Sequence, residues 1–248
     1  MRRIYRVDPA GEPHPLAVHD VASALRHGEL ALLPTETVYG VGVAVNAFAG
    51  SSVAAGSAPA TDPASAALPA PGTGYRRIFT LKHRDLAQTV PWLVAGEDDL
   101  DRYSVDVPPA AHALARAFWP GALTLVVCAA RTVPPFMQAA DGTVALRASA
   151  SPVIQALVRT ARSPLAVTSA NTHGKSAPAS FAAVESRVLT GVDVAVDAGE
   201  TPCCDASTIV SLTGPAPRLL RQGALPAARV DEALAAAGCP PLSASGPR

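Results

Sequence analysis

Charge and aromatic rings are both scarce in this chain. Only 16 % of the 248 residues are charged and 4 % aromatic, against roughly 25 % charge in ordinary globular chains. The 20 Lys and Arg balance the 20 Asp and Glu, so the net charge is zero. That excludes a surface that is basic as a whole, the footprint of a dedicated nucleic-acid binder, while leaving room for a local basic site. The shortage of rings argues against ranks of base-stacking side chains. Cysteine is limited to Cys128, Cys203, Cys204 and Cys239, with no C-x-x-C pair. Neither a disulfide framework nor a zinc spacing is present, and free thiols are expected. His14, His19 and His27 share one stretch but form no H-E-x-x-H pattern, so no metal site is expected. No run of 18 apolar residues occurs, and the basic start Met1–Arg6 leads into Asp8, Pro9 and Glu12 rather than an apolar segment. Neither a membrane-spanning helix nor a secretory leader is expected, and the expected compartment is the cytoplasm.

Apolar residues are plentiful at 49 %, enough for a large core. One stretch departs from the rest: in 47–74, 24 of 28 residues are Ala, Gly, Pro, Ser or Thr, and Asp62 is its only charge. It has little to bury and reads as an insertion, expected to be mobile over the rim of a site. A frayed tail is expected over 240–248, and a single domain over 1–239. Between these segments, short apolar runs alternate with helical periodicity. Strands are expected at Leu30–Leu33, Tyr39–Val45, Ala122–Val127, Val144–Leu146, Leu165–Val167, Val192–Val196, Ser207–Leu212 and Arg218–Leu220. Helices are expected around Val18–Leu25, stopped by Gly28, and at Tyr75–Leu81, Pro109–Phe118, Pro152–Thr160, Phe181–Leu189 and Val230–Ala237. Strands mixed with helices outside strict alternation imply an α/β fold with a mixed sheet.

The run from Ser169 to Ser176, S-A-N-T-H-G-K-S, approaches the phosphate-binding pattern G-x-x-x-x-G-K-[ST]. Ser169 replaces its first glycine, and Pro178 removes an N–H that the following helix would need, so it is not read as that loop. Polar groups do gather at the ends of apolar strands. Thr35-Glu36-Thr37 follows one, Arg147 ends Thr143–Arg147, Thr168-Ser169-Ala170-Asn171 ends another, and Arg221 another; Lys82 and Arg84 end a helical segment. Each alone reads as a turn, a cap or a solvated cation. Together they supply cations and hydroxyls without a carboxylate majority. That suits a polyanion such as ATP, bicarbonate or a carboxylate substrate at strand ends.

Seven runs occur in order: Pro34–Gly42, Lys82-x-Arg84, Phe118–Thr124, Thr143–Arg147, Thr168–Asn171, Ser207–Val210 and Leu220–Gly223. In this the chain resembles the YrdC-like threonylcarbamoyl-adenylate synthases, over about residues 15–225. The resemblance implies a twisted mixed sheet with flanking helices around a deep, concave, basic cavity. It also implies joining threonine, bicarbonate and ATP into threonylcarbamoyl-adenylate, with release of pyrophosphate. Mg²⁺ would arrive on the nucleotide, and a separate tRNA threonylcarbamoyl transferase would consume the product. By the same resemblance, Thr37, Arg147 and the Val167 backbone meet threonine. Lys82, Arg84, Gln88, Thr143, Ser169, Asn171 and Arg221 meet ATP, with Lys82, Arg84, Ser169 and Asn171 closest to the chemistry. The family usually reads K-G-R-P-x-x-[NK]-P-L where this chain has Lys82–Val90; Asp85 and Gln88 depart from it, as do Leu93, where some members have His, and Ala177, where many have Ser. Alternatives left open are a divergent carbamoyl-adenylate enzyme with another substrate, and an RNA-binding module with weak RNA contact.

Overall fold

The structure is a computed structural model that describes residues 3–8, 11–48 and 68–243. In chain order it contains β1 (Arg3–Arg6), α1 (Pro15–Arg26), β2 (Ala31–Pro34), β3 (Tyr39–Ala44), α2 (Gly74–Lys82), β4 (Trp92–Leu93) and α3 (Asp98–Tyr103). There follow α4 (Pro109–Phe118), β5 (Leu123–Cys128), β6 (Thr143–Arg147), α5 (Pro152–Ala161), β7 (Leu165–Ser169) and α6 (Ser186–Gly191). The described chain closes with β8 (Val194–Asp197), β9 (Thr208–Ser211), β10 (Arg218–Arg221) and α7 (Ala227–Ala236). All ten strands join one mixed sheet in the order β1-β8-β2-β3-β7-β4-β6-β5-β9-β10.

Alternation along the strands separates two cores. Leu30, just before β2, and Leu32 on it face one side with Tyr39, Val41 and Val43, while Ala31 and Leu33 face the other. The first core is the larger and runs the full width, with α2, α4 and α7 contributing Ile78, Leu114 and Leu234. The second lies under α1 and α5 alone, through Val21, Leu25, Ile154 and Leu157. Both helices are closed by local signals. Pro152 opens α5 behind Ser151, whose hydroxyl accepts from the Ile154 amide. Gly28, at φ 77°, follows α1 in the left-handed region that terminates helices. The covered half ends near β7. On β4, β6, β5 and β9 the same face carries Leu93, at the border of the second core, and then Arg147, Ala145, Val126, Thr124 and Ile209 as register neighbours. A cavity opens there.

The eight expected strands are present with boundaries moved by one or two residues. Two expectations need correction. Phe181–Leu189 is not one helix: a 3-10 turn at Phe181–Ala183, capped by Ser180, ends at Val184, and Glu185 is extended at ψ 132° before α6 begins. Residues 240–243 are not frayed, because Ser243 pairs with Pro217 and Arg218 and the Leu242 amide donates to Asp231; 244–248 lie outside the described residues. Of the 47–74 insertion, 49–67 also lie outside them. Its described flanks, Ala47, Phe48 and Gly72 to Gly74, line a separate cavity of about 640 Å³ beside the Arg77–Asp193 ion pair, not the one over β6. β1, β4 and α3 had not been expected.

Gly74 starts α2 against the loop after α1, where an added Cβ would lie 2.2 Å from the Gly28 carbonyl oxygen. Two backbones must separate to admit it. Gly74→Ala is expected to lower stability by about 1–3 kcal/mol, the cost of overpacking a filled site, read as a reduced urea midpoint; an unchanged midpoint would show the contact is soft.

Candidate active site

The cavity over the uncovered half of the sheet measures about 810 Å³. Lys82, Arg84, Arg147, Lys175 and Arg221 line it, and among the described residues no carboxylate does. Thr37, Gln88, Val167, Ser169 and Asn171 also line it, so nine of the ten residues expected at the site come together. Thr143 is the exception. It shares the cavity face of β6 with Ala145 and Arg147, but four residues of strand, roughly 13 Å, separate it from Arg147. Its hydroxyl donates to Asp141 at 2.7 Å.

At one end, α2 delivers Lys82 to the end of β7. The Lys82 ammonium is buried and donates to the Ser169 and Asn171 carbonyls at 2.5 and 2.9 Å, with Asn171 Oδ1 at 3.2 Å and Ser169 Oγ at 3.4 Å. His83, at φ 50°, turns the chain so that Arg84 follows into the cavity. Arg84 donates to Gln88 Oε1, Thr168 Oγ1 and the Thr89 carbonyl at 2.7, 3.2 and 2.6 Å. Asp85 is exposed, caps the Ala87 amide and does not line the cavity. Burial, and next the neighbouring Arg84 charge, push the Lys82 pKa down to about 8.

At the other end, β2 runs into the turn Thr35–Val38, and β6 ends at Arg147 opposite it. The Arg147 guanidinium donates from Nε to the Gly121 carbonyl at 2.9 Å, from Nη1 to Thr37 Oγ1 at 3.0 Å and from Nη2 to Glu36 Oε1 at 2.5 Å. Ser149 donates to the other Glu36 oxygen. Burial alone would raise the Glu36 pKa; the Arg147 charge and hydrogen bonds from Ser149, Arg147 and the Ala150 amide outweigh it and hold the carboxyl below its ordinary range. The Thr35 hydroxyl donates to the Val38 carbonyl at 2.6 Å, accepts from the Thr37 and Val38 amides at 3.2 and 3.1 Å, and lies 2.7 Å from the Thr37 hydroxyl. The Thr37 hydroxyl also accepts from Arg147, and Thr37 lines the cavity. Arg221 reaches in from β10, held by the Ser207 carbonyl at 2.7 Å.

Sequence reasoning assigned no role to Glu36, Ser149, Ser207, His173 or Lys175. A carboxylate between two threonines after a strand reads as a solvated turn, and nothing local signals that an arginine 111 residues away will bury it. Lys175 did stand in the run that resembled a phosphate loop. It lines the cavity but is bound at 2.8 Å to Glu185. Among the described residues no group of three or more His, Cys, Asp or Glu could hold a metal, the four cysteines are free, and no helix is long and apolar enough to cross a membrane.

Fold and cavity together define a class: α/β proteins whose mixed sheet carries a cation-lined, carboxylate-free cavity on half of one face. The Sua5/YciO/YrdC family model, described as "Telomere recombination", matches residues 66–223. The chain is 36 % identical over 211 residues to a Mycobacterium tuberculosis protein named "Putative threonylcarbamoyl-AMP synthase", an alignment covering 85 % of this chain and 86 % of that one. It is 32 % identical over 213 residues to the Pyrococcus abyssi "Threonylcarbamoyl-AMP synthase", covering 86 % of this chain but 56 % of the relative. The solved structure of P. abyssi Sua5 complexed with L-threonine superposes with a TM-score of 0.79 at 27 % identity, over 98 % of this chain and 62 % of that one. The chain thus spans little more than half the length of these archaeal relatives. It belongs to the Sua5/YciO/YrdC family.

The lowered Lys82 pKa has a measurable consequence. The empty site loses that positive charge as pH rises through about 8, so affinity for inorganic triphosphate is expected to fall several-fold between pH 7 and 9. Lys82→Arg, charged throughout, should remove the decline, both read by calorimetric titration; a pH-independent wild-type affinity would assign the anion to the other cations. Linkage runs the opposite way for stability: burying the ammonium costs stability below pH 8, and this is recovered as pH rises towards the ordinary 10.5.

Proposed function

We propose that this chain is a transferase-type enzyme that condenses L-threonine, bicarbonate and ATP into threonylcarbamoyl-adenylate and pyrophosphate. The observation that carries the reading is the carboxylate-free cavity with cations at both ends, Lys82 and Arg84 at one and Arg147 and Arg221 at the other. It is supported by relatives named for this activity and by a related structure that holds L-threonine.

Threonine enters with its carboxylate on Arg147 and its nitrogen towards the Thr37 hydroxyl. The amine, in its neutral form, attacks the carbon of bicarbonate; water leaves and an N-carboxylate remains. An oxygen of that carboxylate attacks the α-phosphorus of ATP, and the bond to pyrophosphate breaks. No protein nucleophile is needed. Lys82 and Arg84 stabilise the charge that builds on the leaving phosphates, while Ser169, Asn171 and Gln88 hold those cations or the phosphate oxygens in place. Arg221 faces the nucleotide, and Val167 contributes backbone to the threonine side. Mg²⁺ travels with the nucleotide, since the cavity offers phosphate-binding cations and no carboxylate ligand of its own. The product then serves a separate transferase that modifies the adenosine beside the anticodon of tRNA, in the cytoplasm.

A second reading rests on two departures that both line the cavity, Leu93 and Ala177: the same chemistry on another amino acid. Pyrophosphate release measured across amino acids, with and without bicarbonate, separates the readings. Release that requires both threonine and bicarbonate is expected; faster release with another amino acid, or with carbamoyl phosphate, would favour the second. Arg147→Lys, which cannot present two coplanar donors, is expected to raise the threonine KM about tenfold or more, roughly 1.4 kcal/mol, and the ATP KM less than twofold. An equal rise in both would move Arg147 to the phosphates.

A further inference from the structure

We infer that Glu36 is a positioning residue for the amino-acid substrate: its buried carboxylate sets the plane in which Arg147 meets the substrate carboxylate. The inference rests on the reading of Arg147 given above. Glu36 does not line the cavity and is 9 % exposed, so it reaches a substrate only through Arg147, itself 6 % exposed.

The argument is one of donor counting. A guanidinium has five N–H groups in one plane. Three are committed to three separate parts of the fold: Nε to Gly121 after α4, Nη1 to Thr37 after β2, and Nη2 to Glu36. One N–H is left on each terminal nitrogen, so two donors remain for a substrate carboxylate. Of the three anchors only Glu36 is charged, and it is itself fixed. Ser149, fully buried, donates to its free oxygen. The Cys203 amide donates to the Glu36 carbonyl at 2.9 Å, and Thr201 donates to the Thr37 carbonyl at 2.8 Å. The carboxylate therefore cannot follow the arginine if the latter rotates. It holds the guanidinium against the extra pull of a substrate anion and keeps its charge compensated before the substrate arrives.

The test compares Glu36→Gln, which keeps shape and removes charge, with Ser149→Ala, which loosens Glu36 without touching Arg147, and with Arg147→Lys. Glu36→Gln is expected to raise the threonine KM at least tenfold, with the ATP KM within twofold and kcat at saturating threonine within threefold. Ser149→Ala should shift the threonine KM the same way by two- to fivefold, and it carries the test alone if Glu36→Gln does not fold. A merely structural role would instead lower kcat through the folded fraction or move both KM values together, and either result overturns the inference. If Arg147→Lys shifts the threonine KM while Glu36→Gln and Ser149→Ala leave it unchanged, the positioning role fails and the reading of Arg147 stands. If Arg147→Lys leaves the threonine KM unchanged, both are withdrawn.

Discussion

Two helices cannot cover one face of a ten-stranded sheet, and the architecture of the site follows from that shortfall. α1 and α5 pack together over β8, β2, β3 and β7, and their apolar stripes end there. Beyond β7 the same pleat lines the cavity, and Thr124, Arg147 and Arg221 stand there among the apolar Leu93, Val126, Ala145 and Ile209. The opposite face has no such gap, because Leu123, Leu125, Val127, Val144 and Leu146 sit on the same strands under α4 and its neighbours. One face of β5 and β6 thus belongs to the core while the other belongs to the site. Rigidity and exposure of functional groups come from the same strands.

Within that frame the buried pair Glu36–Arg147 is costly to make and costly to break. Taking both charges out of water is compensated only when geometry is good and the remaining donors and acceptors are used. Here both Glu36 oxygens and three of the five Arg147 N–H groups are used, with Ser149, the Ala150 amide, Thr37 and Gly121 around the pair. Removing one partner of such a pair costs on the order of 3–5 kcal/mol, so its persistence ties the turn after β2 to the end of β6. Lys82 is a different case. Its partners are carbonyls, an amide oxygen and a hydroxyl, none of them charged, and burial together with the Arg84 charge lowers its pKa.

The fold was legible wherever burial wrote a pattern into the sequence. β2, β3, β5 and β7 are largely buried and read as apolar runs, and nine of the ten site residues that the family resemblance implied line one cavity. What escaped is what has no such pattern. β1 is Arg-Ile-Tyr-Arg and mostly exposed, β4 is two residues long, and α3 buries only Leu100 and Tyr103 of its six. The stretch 181–189 has helical composition throughout, yet it breaks at Glu185, whose carboxylate is drawn to Thr172 and Lys175. Long-range polar pairing of this kind leaves no trace in local spacing. Glu36 was missed for the same reason.

A sheet of ten strands still ends in two rims with unpaired amides and carbonyls, the template on which strands of other chains assemble. Here each rim is blunted. β1 is four residues long with an arginine at either end, Arg3 bound to Glu29 and Arg6 beside Asp197. β10 is equally short, slips its register between Leu219 and Arg221, and has Ser243 laid along it at Arg218. A chain with 16 % charge and no net charge has little electrostatic repulsion to keep copies apart. Its protection against edge-to-edge stacking is therefore geometric, placed at the two strands that a neighbouring copy would have to extend.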